Sequence, residues 1–221
     1  MSDKESISIS SLIMVPALIT LAITILRLIG ELQGWSPTFF STQPGGGYAV
    51  VGISWLPIIF GPYFAVKLAG AGEGVSGSGK AIGFAFIGLV VLFLAGLWFG
   101  KMESHPTYLA LVPMLLMLIA AFIPGIGWKR LGNTLLAYAF AARIPVLIVM
   151  FMAMRAGWVT HYSRVAPMFA NASFVRQYLY EAFVPQMTLW IGWTVTVGAL
   201  FGTIVAAVAK PAKQPAAATV S

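Results

Sequence analysis

The chain has 221 residues, of which 59% are hydrophobic and only 9% charged, and its mean hydropathy is +0.91. A soluble domain carries about 25% charged residues, so this composition excludes a water-facing globular surface. The absence of cysteine excludes disulfides and thiolate metal sites, while a net charge of +7 spread over helix ends and tails favours anionic lipid headgroups over nucleic acid as partners.

Six apolar segments are long enough to cross a bilayer, which requires about 20 residues of helix. Their apolar runs do not alternate with polar residues, and this favours helices over a β-barrel. The predicted spans are 8–31, 48–69, 81–100, 107–126, 134–158 and 184–209. We therefore expect an all-α polytopic membrane bundle in a single transmembrane domain, residues 1–209, followed by a disordered Ala- and Pro-rich tail at 210–221.

Two segments are not expected to be straight crossings. Pro57 and Pro62 lie inside the second span, and each removes a backbone hydrogen bond, so this helix is predicted to be kinked or partly re-entrant. Between the fifth and sixth spans, Phe174 and Tyr178 lie four residues apart with the polar Arg176 between them. This pattern predicts a short amphipathic helix on the outer membrane surface.

The positions of lysine and arginine predict the orientation. With the N-terminus inside, seven of the thirteen basic residues fall on the cytoplasmic side, four on the outer side and two within spans. We expect both termini in the cytoplasm and the chain in a plasma or inner membrane. The first apolar run is too long for a signal-peptide core, so it is interpreted as a retained signal anchor.

The two halves of the chain show short similarities. Residues 12–16 read LIMVP and residues 109–113 read LALVP, while Ile82-Gly83-Phe84 corresponds to Ile191-Gly192-Trp193. An odd number of helices per half would make a 3+3 repeat inverted, as in many transporters. Chance similarity between apolar sequences is the alternative interpretation.

Residues 74–80 read GVSGSGK, which fits the spacing of a phosphate-binding loop. Ala81 stands where Mg²⁺ coordination needs Ser or Thr, so a flexible turn is favoured. Gly74–Gly77 also resembles the G-x-S-G serine motif of rhomboid intramembrane proteases. That resemblance implies Ser76 as a nucleophile activated by a histidine on a later helix. No histidine lies in a predicted span, and a serine without its base is not activated.

The two histidines, His105 and His161, lie in predicted outer loops, with Glu103 near the first of them in sequence. A metal site there is one interpretation, and solvated loop histidines are the favoured one. We therefore predict no metal, no cofactor and no catalytic residue, and we do not expect an enzyme.

Charged residues inside the predicted spans are the most informative polar feature. Arg27 and Glu31 are four apart on one helix face and are expected to form a structural pair near its outer end. Arg143 lies about 13 Å into the fifth helix, where an arginine costs on the order of 3 kcal/mol. None of the acidic residues falls mid-span. A carbonyl freed by Pro145, a water pocket or a bound anion are the expected compensations.

The candidate site residues follow from these observations. Arg143 and Arg27, together with Tyr138 and Trp55, are the residues predicted to contact a ligand or lipid. The G-x-x-x-G pairs Gly96/Gly100 and Gly198/Gly202 permit close helix approach and are predicted to mediate packing.

No constellation for chemistry is evident, so the favoured function is non-catalytic: an accessory, assembly or lipid-interacting membrane protein. The alternative is a small carrier or channel with an anion or lipid site near Arg143. The expected partners are membrane lipids, anionic ones included, and a membrane protein partner or a second copy of the chain. Nucleic acid is not expected.

Overall fold

A computed structural model describes residues 7–75, 77–101 and 107–209, and these residues form helices, turns and loops without a β-strand. The predicted tail at 210–221 lies outside the described residues. The six main helices are α1 (Ile9–Leu32), α2 (Leu56–Gly70), α3 (Ser78–Gly100), α4 (Leu111–Gly127), α5 (Lys129–Ala156) and α6 (Phe174–Val208).

Four of these helices, α1, α3, α5 and α6, are long and apolar enough to cross a membrane. Their outward faces carry large apolar side chains, among them Leu18, Phe93 and Ile148, which are 58%, 64% and 56% exposed. Such surfaces are covered by lipid tails in a membrane protein and are unfavourable in water. The chain is therefore an α-helical membrane protein.

The helices α2 and α4 are shorter. α2 has 15 residues, or about 22 Å of helix, and α4 is divided into Leu111–Ala120 and Ile123–Gly127 by a turn. Neither reaches the length of about 20 residues that a straight crossing needs.

The predicted start of the second span at residue 48 is wrong, because α2 begins at Leu56. Gly45, Gly46 and Gly47 and the non-glycine Tyr48 have positive φ values of 65°, 84°, 52° and 60°, which no helix accommodates. Proline is favoured in the first turn of a helix, where its missing N–H is not needed, and Pro57 lies in the first turn of α2.

The predicted amphipathic helix between the fifth and sixth spans is not a separate element. Phe174–Gln177 continues through a π-helical turn, Tyr178–Phe183, into Val184–Met187, and after Thr188 into Leu189–Val208. Thr188 has φ −115° and ψ −76°, so the helix axis is perturbed there. The result is one long interrupted helix, α6.

A close helix contact joins α2 and α6 through glycine. A Cβ on Gly61 would lie 2.0 Å from the carbonyl oxygen of Gly198, and one on Gly202 would lie 2.7 Å from that of Gly61. Gly96 and Gly100 are not at such a contact: a Cβ on Gly96 would have only Met117 Cε at 4.0 Å, and one on Gly100 nothing within 4 Å. The reason is that the buried face of α3 runs through other positions, Ala85, Gly88, Leu92 and Ala95.

The packing of the helices is asymmetric. α2 packs along α6, whereas α3 packs against α4 and α6. An inverted repeat would relate α1, α2 and α3 to α4, α5 and α6. The contact between α2 and α6 would then have a counterpart between α5 and α3. Within the described residues those two helices share no comparable contact. This packing argues against the predicted repeat.

Two carboxylates mark the ends of the bundle. At one end lies Glu73, which follows α2. Its carboxylate accepts the backbone N–H of Ile7 at 2.9 Å and pairs with Arg130, and its backbone carbonyl accepts Trp128 Nε1 at 3.0 Å. At the other end, Glu31 lies in the last turn of α1. We call these the Glu73 end and the Glu31 end.

Candidate ligand-binding cavity

A cavity of about 370 Å³ lies at the Glu31 end between α1, α5, α6 and the two loops at residues 33–55 and 157–173. Its walls combine apolar side chains with charged and polar ones. The polar lining includes Thr24, Arg27, Ser54, Arg143, His161, Tyr162, Arg164, Glu181 and Gln186. A concave site with a few convergent polar groups has the form of a small-ligand site.

Arg27 lies on the cavity wall, but all three of its guanidinium nitrogens donate to other parts of the protein. Nε donates to Glu31 Oε1 at 2.8 Å, Nη1 to the Val51 carbonyl at 2.8 Å, and Nη2 to the carbonyls of Ser41 and Gly46 at 3.2 and 3.0 Å. Arg27 therefore fastens the first loop to α1, in line with the structural role predicted for the Arg27–Glu31 pair.

Glu31 also fastens the second loop. The backbone N–H of His161 donates to Oε2 at 2.8 Å, and its Nδ1 lies 2.5 Å from Oε1. Burial and the nearby Arg27 charge lower the pKa of His161, while the Glu31 carboxylate acts in the opposite direction. A lowered pKa favours the neutral imidazole at pH 7, and Nδ1–H is then the donor to the carboxylate. One buried carboxylate holds both loops over the cavity.

Arg143 is buried at the deep side of the cavity, with 4% of the residue exposed. Its Cζ lies 4.8 Å from the Trp190 ring centroid, and Nη2 has one long contact, 3.4 Å, to the Thr194 hydroxyl. Nε is buried without an acceptor, and among the described residues Arg143 forms no salt bridge. Pro145 frees the carbonyl of Ala141, four residues earlier, but the hydrogen bond found for the Arg143 side chain among the described residues goes to Thr194 instead.

The π-helical turn in α6 brings three polar or aromatic side chains to one wall. At about 100° per residue, a regular α-helix would put Trp190 on the face opposite Glu181, nine residues earlier. The π-helical turn and the break at Thr188 shift the register, and Glu181, Gln186 and Trp190 all line the cavity. Gln186 Nε2 contacts Met150 Sδ at 3.7 Å, while its Oε1 is buried and meets no donor among the described residues.

The other two predicted ligand residues do not line the cavity. Tyr138 lies one turn deeper on α5, where its hydroxyl is 2.7 Å from that of Thr20 and its ring contacts Phe60 and Phe64 at centroid distances of 5.4 and 5.5 Å. This aromatic cluster fills the bundle between the cavity and the Glu73 end. Trp55, 43% exposed, precedes α2 and is also outside the lining.

Sequence reasoning missed the contribution of His161, Tyr162, Glu181 and Gln186 to a common site. The four come from a loop and from α6, and only the folded chain brings them to Arg143. A signal for Glu181 was present, because it is the only acidic residue of the sequence after Glu103 and lies three residues before the last predicted span. Its register relative to Trp190, however, depends on a π-helical turn that α-helical periodicity does not reveal.

No three side chains of His, Asp or Glu converge as a metal site in the part of the chain that the structure describes. Ser76, Glu103 and His105 lie outside that part. Neither a protein-family model, nor a curated protein, nor a solved structure matches the chain significantly, so functional inference depends on the chemistry of the cavity.

Proposed function

We propose that this chain is a non-catalytic, six-span membrane protein that binds an anionic amphiphile, such as a membrane lipid, in the cavity at the Glu31 end. Arg143 is the residue proposed to hold the anionic group. In this proposal the short helices α2 and α4 also cross the membrane. For α2 the support is its position: it runs from Ser54, which lines the cavity and whose carbonyl accepts Trp193 Nε1 at 2.7 Å, toward Glu73 at the opposite end.

The observation that carries this proposal is a buried cation that opens onto a cavity and has no carboxylate partner in the described chain. An unpaired charge in such surroundings costs several kcal/mol, on the order of what a bound counter-ion returns. A guanidinium binds carboxylate and phosphate oxygens through charge-assisted hydrogen bonds. The apolar walls, among them Ile23, Ile53 and Val146, suit the chain of an amphiphile.

Binding is favoured over conduction because Tyr138 and its aromatic neighbours separate the cavity from the Glu73 end. The carrier interpretation uses the same anion site and requires a second conformation in which this cluster opens.

For orientation, we propose that the Glu73 end is cytoplasmic in a plasma or inner membrane. Lys67, Lys80, Lys129 and Arg130 belong to the helix ends on that side.

The test is native mass spectrometry of the protein released gently from its own membranes. We expect the wild-type protein to retain an anionic lipid or small anion and Arg143→Met to lose it. Arg155→Gln removes the same charge from an exposed site at the end of α5 and is expected to retain the ligand. Wild-type occupancy in Arg143→Met would contradict the proposed site.

A second readout separates loss of binding from misfolding. Replacing an uncompensated buried charge by an apolar side chain is often neutral or stabilising, by about 1–4 kcal/mol. The Arg143→Met protein is therefore expected to melt in detergent at or above the temperature of wild-type protein from which the ligand has been removed. A stoichiometric protein partner in the spectrum, with no bound anion, would instead support an accessory subunit.

A further inference from the structure

On the basis of the proposed function, we infer that the ligand of the cavity is a zwitterion, with its anionic group on Arg143 and an ammonium group on Glu181 and Gln186. The lining is not simply basic. It presents an unpaired cation on α5 and a carboxylate with an unpartnered amide oxygen on α6, both directed to the same space.

The charges that line the cavity leave one uncompensated group of each sign. Arg27 is paired with Glu31, and His161, whose imidazole is not counted as a charge, donates to the same carboxylate. Arg164 is exposed at the rim, where its Nε donates to the Thr42 carbonyl at 2.9 Å. Arg143 and Glu181 remain. The described residues form no salt bridge between them, although both line one cavity.

A ligand with only an anionic group would compensate the charge of Arg143, but its negative charge would repel the Glu181 carboxylate in the same cavity. A ligand that also carries an ammonium group compensates both ends and follows the rule that buried charges need partners. An ammonium has three donors. The Glu181 carboxylate, which already accepts the backbone N–H of Ala166, and Gln186 Oε1 are acceptors on the same wall.

Gln186 gives independent support for a donor on the ligand. Gln186 is only 8% exposed. Its Nε2 contacts Met150, but its Oε1 meets no donor within the described protein. Leaving a buried acceptor without a donor is unfavourable, so a ligand that donates there would be stabilised. The π-helical turn that aligns Gln186 with Glu181 is a feature often found at functional sites.

Two sources supply this chemistry. One is the headgroup of an amine-bearing phospholipid, whose acyl chains would follow the apolar wall, and the other is a water-soluble amine-containing phosphate or carboxylate. The probes are therefore short-chain phosphatidylethanolamine, phosphatidylglycerol with the same chains, and free phosphoethanolamine. Binding of each is measured by calorimetry on the full-length protein in detergent.

The wild-type protein is expected to bind the ethanolamine lipid about tenfold or more tightly than the glycerol lipid, as the loss of a charge-assisted contact implies. Glu181→Gln should abolish this preference while glycerol-lipid binding persists, and Arg143→Met should weaken both lipids. Gln186→Met, which keeps the side-chain volume, should reduce the preference in the same direction and serves if Glu181→Gln does not fold.

Absence of a preference in the wild-type protein, or an unchanged preference in both α6 variants, would overturn the zwitterion inference. In that case a loss of both lipids in Arg143→Met would still uphold the anion site. Unchanged binding in Arg143→Met would overturn the anion site itself. Free phosphoethanolamine that binds as tightly as the lipid identifies a soluble ligand, and binding of the lipid alone identifies a headgroup.

Discussion

Two buried arginines at the same end of the bundle differ in how the fold uses them. All three guanidinium nitrogens of Arg27 donate to protein oxygens, and one of these is the Glu31 carboxylate. Arg143 has an aromatic face and one long contact to Thr194. Arg27 therefore stabilises the loops, while the Arg143 guanidinium keeps an N–H donor, on Nε, that no described residue accepts.

His161 makes the closure of the second loop sensitive to pH. Because burial and Arg27 lower its pKa in the folded protein, the unfolded chain binds a proton more readily just below the ordinary value of about 6.5. The unfolded state then carries more protons than the folded state, so stability falls as the pH drops through this window. The slope is at most about 1.4 kcal/mol per pH unit, and melting between about pH 8 and about pH 5 measures it.

A matched control exists because the sequence has only one other histidine, His105. His161→Gln is expected to remove the extra acid sensitivity below about pH 6.5, and His105→Gln to retain it. A wild-type slope in His161→Gln would show that the Glu31 contact does not govern the effect.

At the scale of elements, the ends of the spans were predicted where apolar composition and turn chemistry agree. The first span was predicted within one residue at each end, because polar residues flank it on both sides. The second was not, since a count of apolar residues from 48 onward ignores backbone conformation. Three successive glycines are typical of a loop, and Pro57 lies in the first turn of α2, which begins at Leu56.

The glycines allow the helix packing to be tested by opposite effects of one substitution. Gly61→Ala would put a methyl group 2.0 Å from the Gly198 carbonyl, so α2 and α6 must separate. We expect a loss of about 1–3 kcal/mol, as for other overpacked cores. Gly96→Ala meets only Met117 Cε at 4.0 Å and should raise stability by up to about 1 kcal/mol through helix propensity. Melting temperatures in one detergent provide the measurement.

A stable Gly61→Ala variant would show that α2 and α6 do not approach at this point. Equal destabilisation in Gly96→Ala would show that the outer part of α3 is packed more tightly than its exposure indicates.

For the whole molecule, composition predicted the class of fold, whereas the arrangement of helices required the structure. Lipid-facing and core-facing apolar residues look alike in sequence, so hydropathy does not say which helix faces which. The central position of α6, with Ile191 and Val195 fully buried, and the cavity between it and Arg143 both depend on such pairings. The short similarities between the halves are not accompanied by equivalent contacts.

The six-span proposal predicts which ends of the helices share a side of the membrane. If α2 and α4 cross, Lys80 and Lys129 lie on one side, and Phe39 and Val159, which are 47% and 70% exposed, lie on the other. The natural chain has no cysteine, so single cysteines at these four positions can be introduced without removing any other.

In intact cells, a membrane-impermeant maleimide is expected to label the Phe39→Cys and Val159→Cys variants, and to label Lys80→Cys and Lys129→Cys only after permeabilisation. Labelling of Lys80→Cys together with Phe39→Cys would mean that α2 returns to the side it entered from. The 15 residues of α2 would then be a re-entrant segment, and Glu73 would lie on the same side as Glu31. The opposite pattern for all four positions would preserve the six crossings and reverse the orientation, which would place the cavity on the cytoplasmic side.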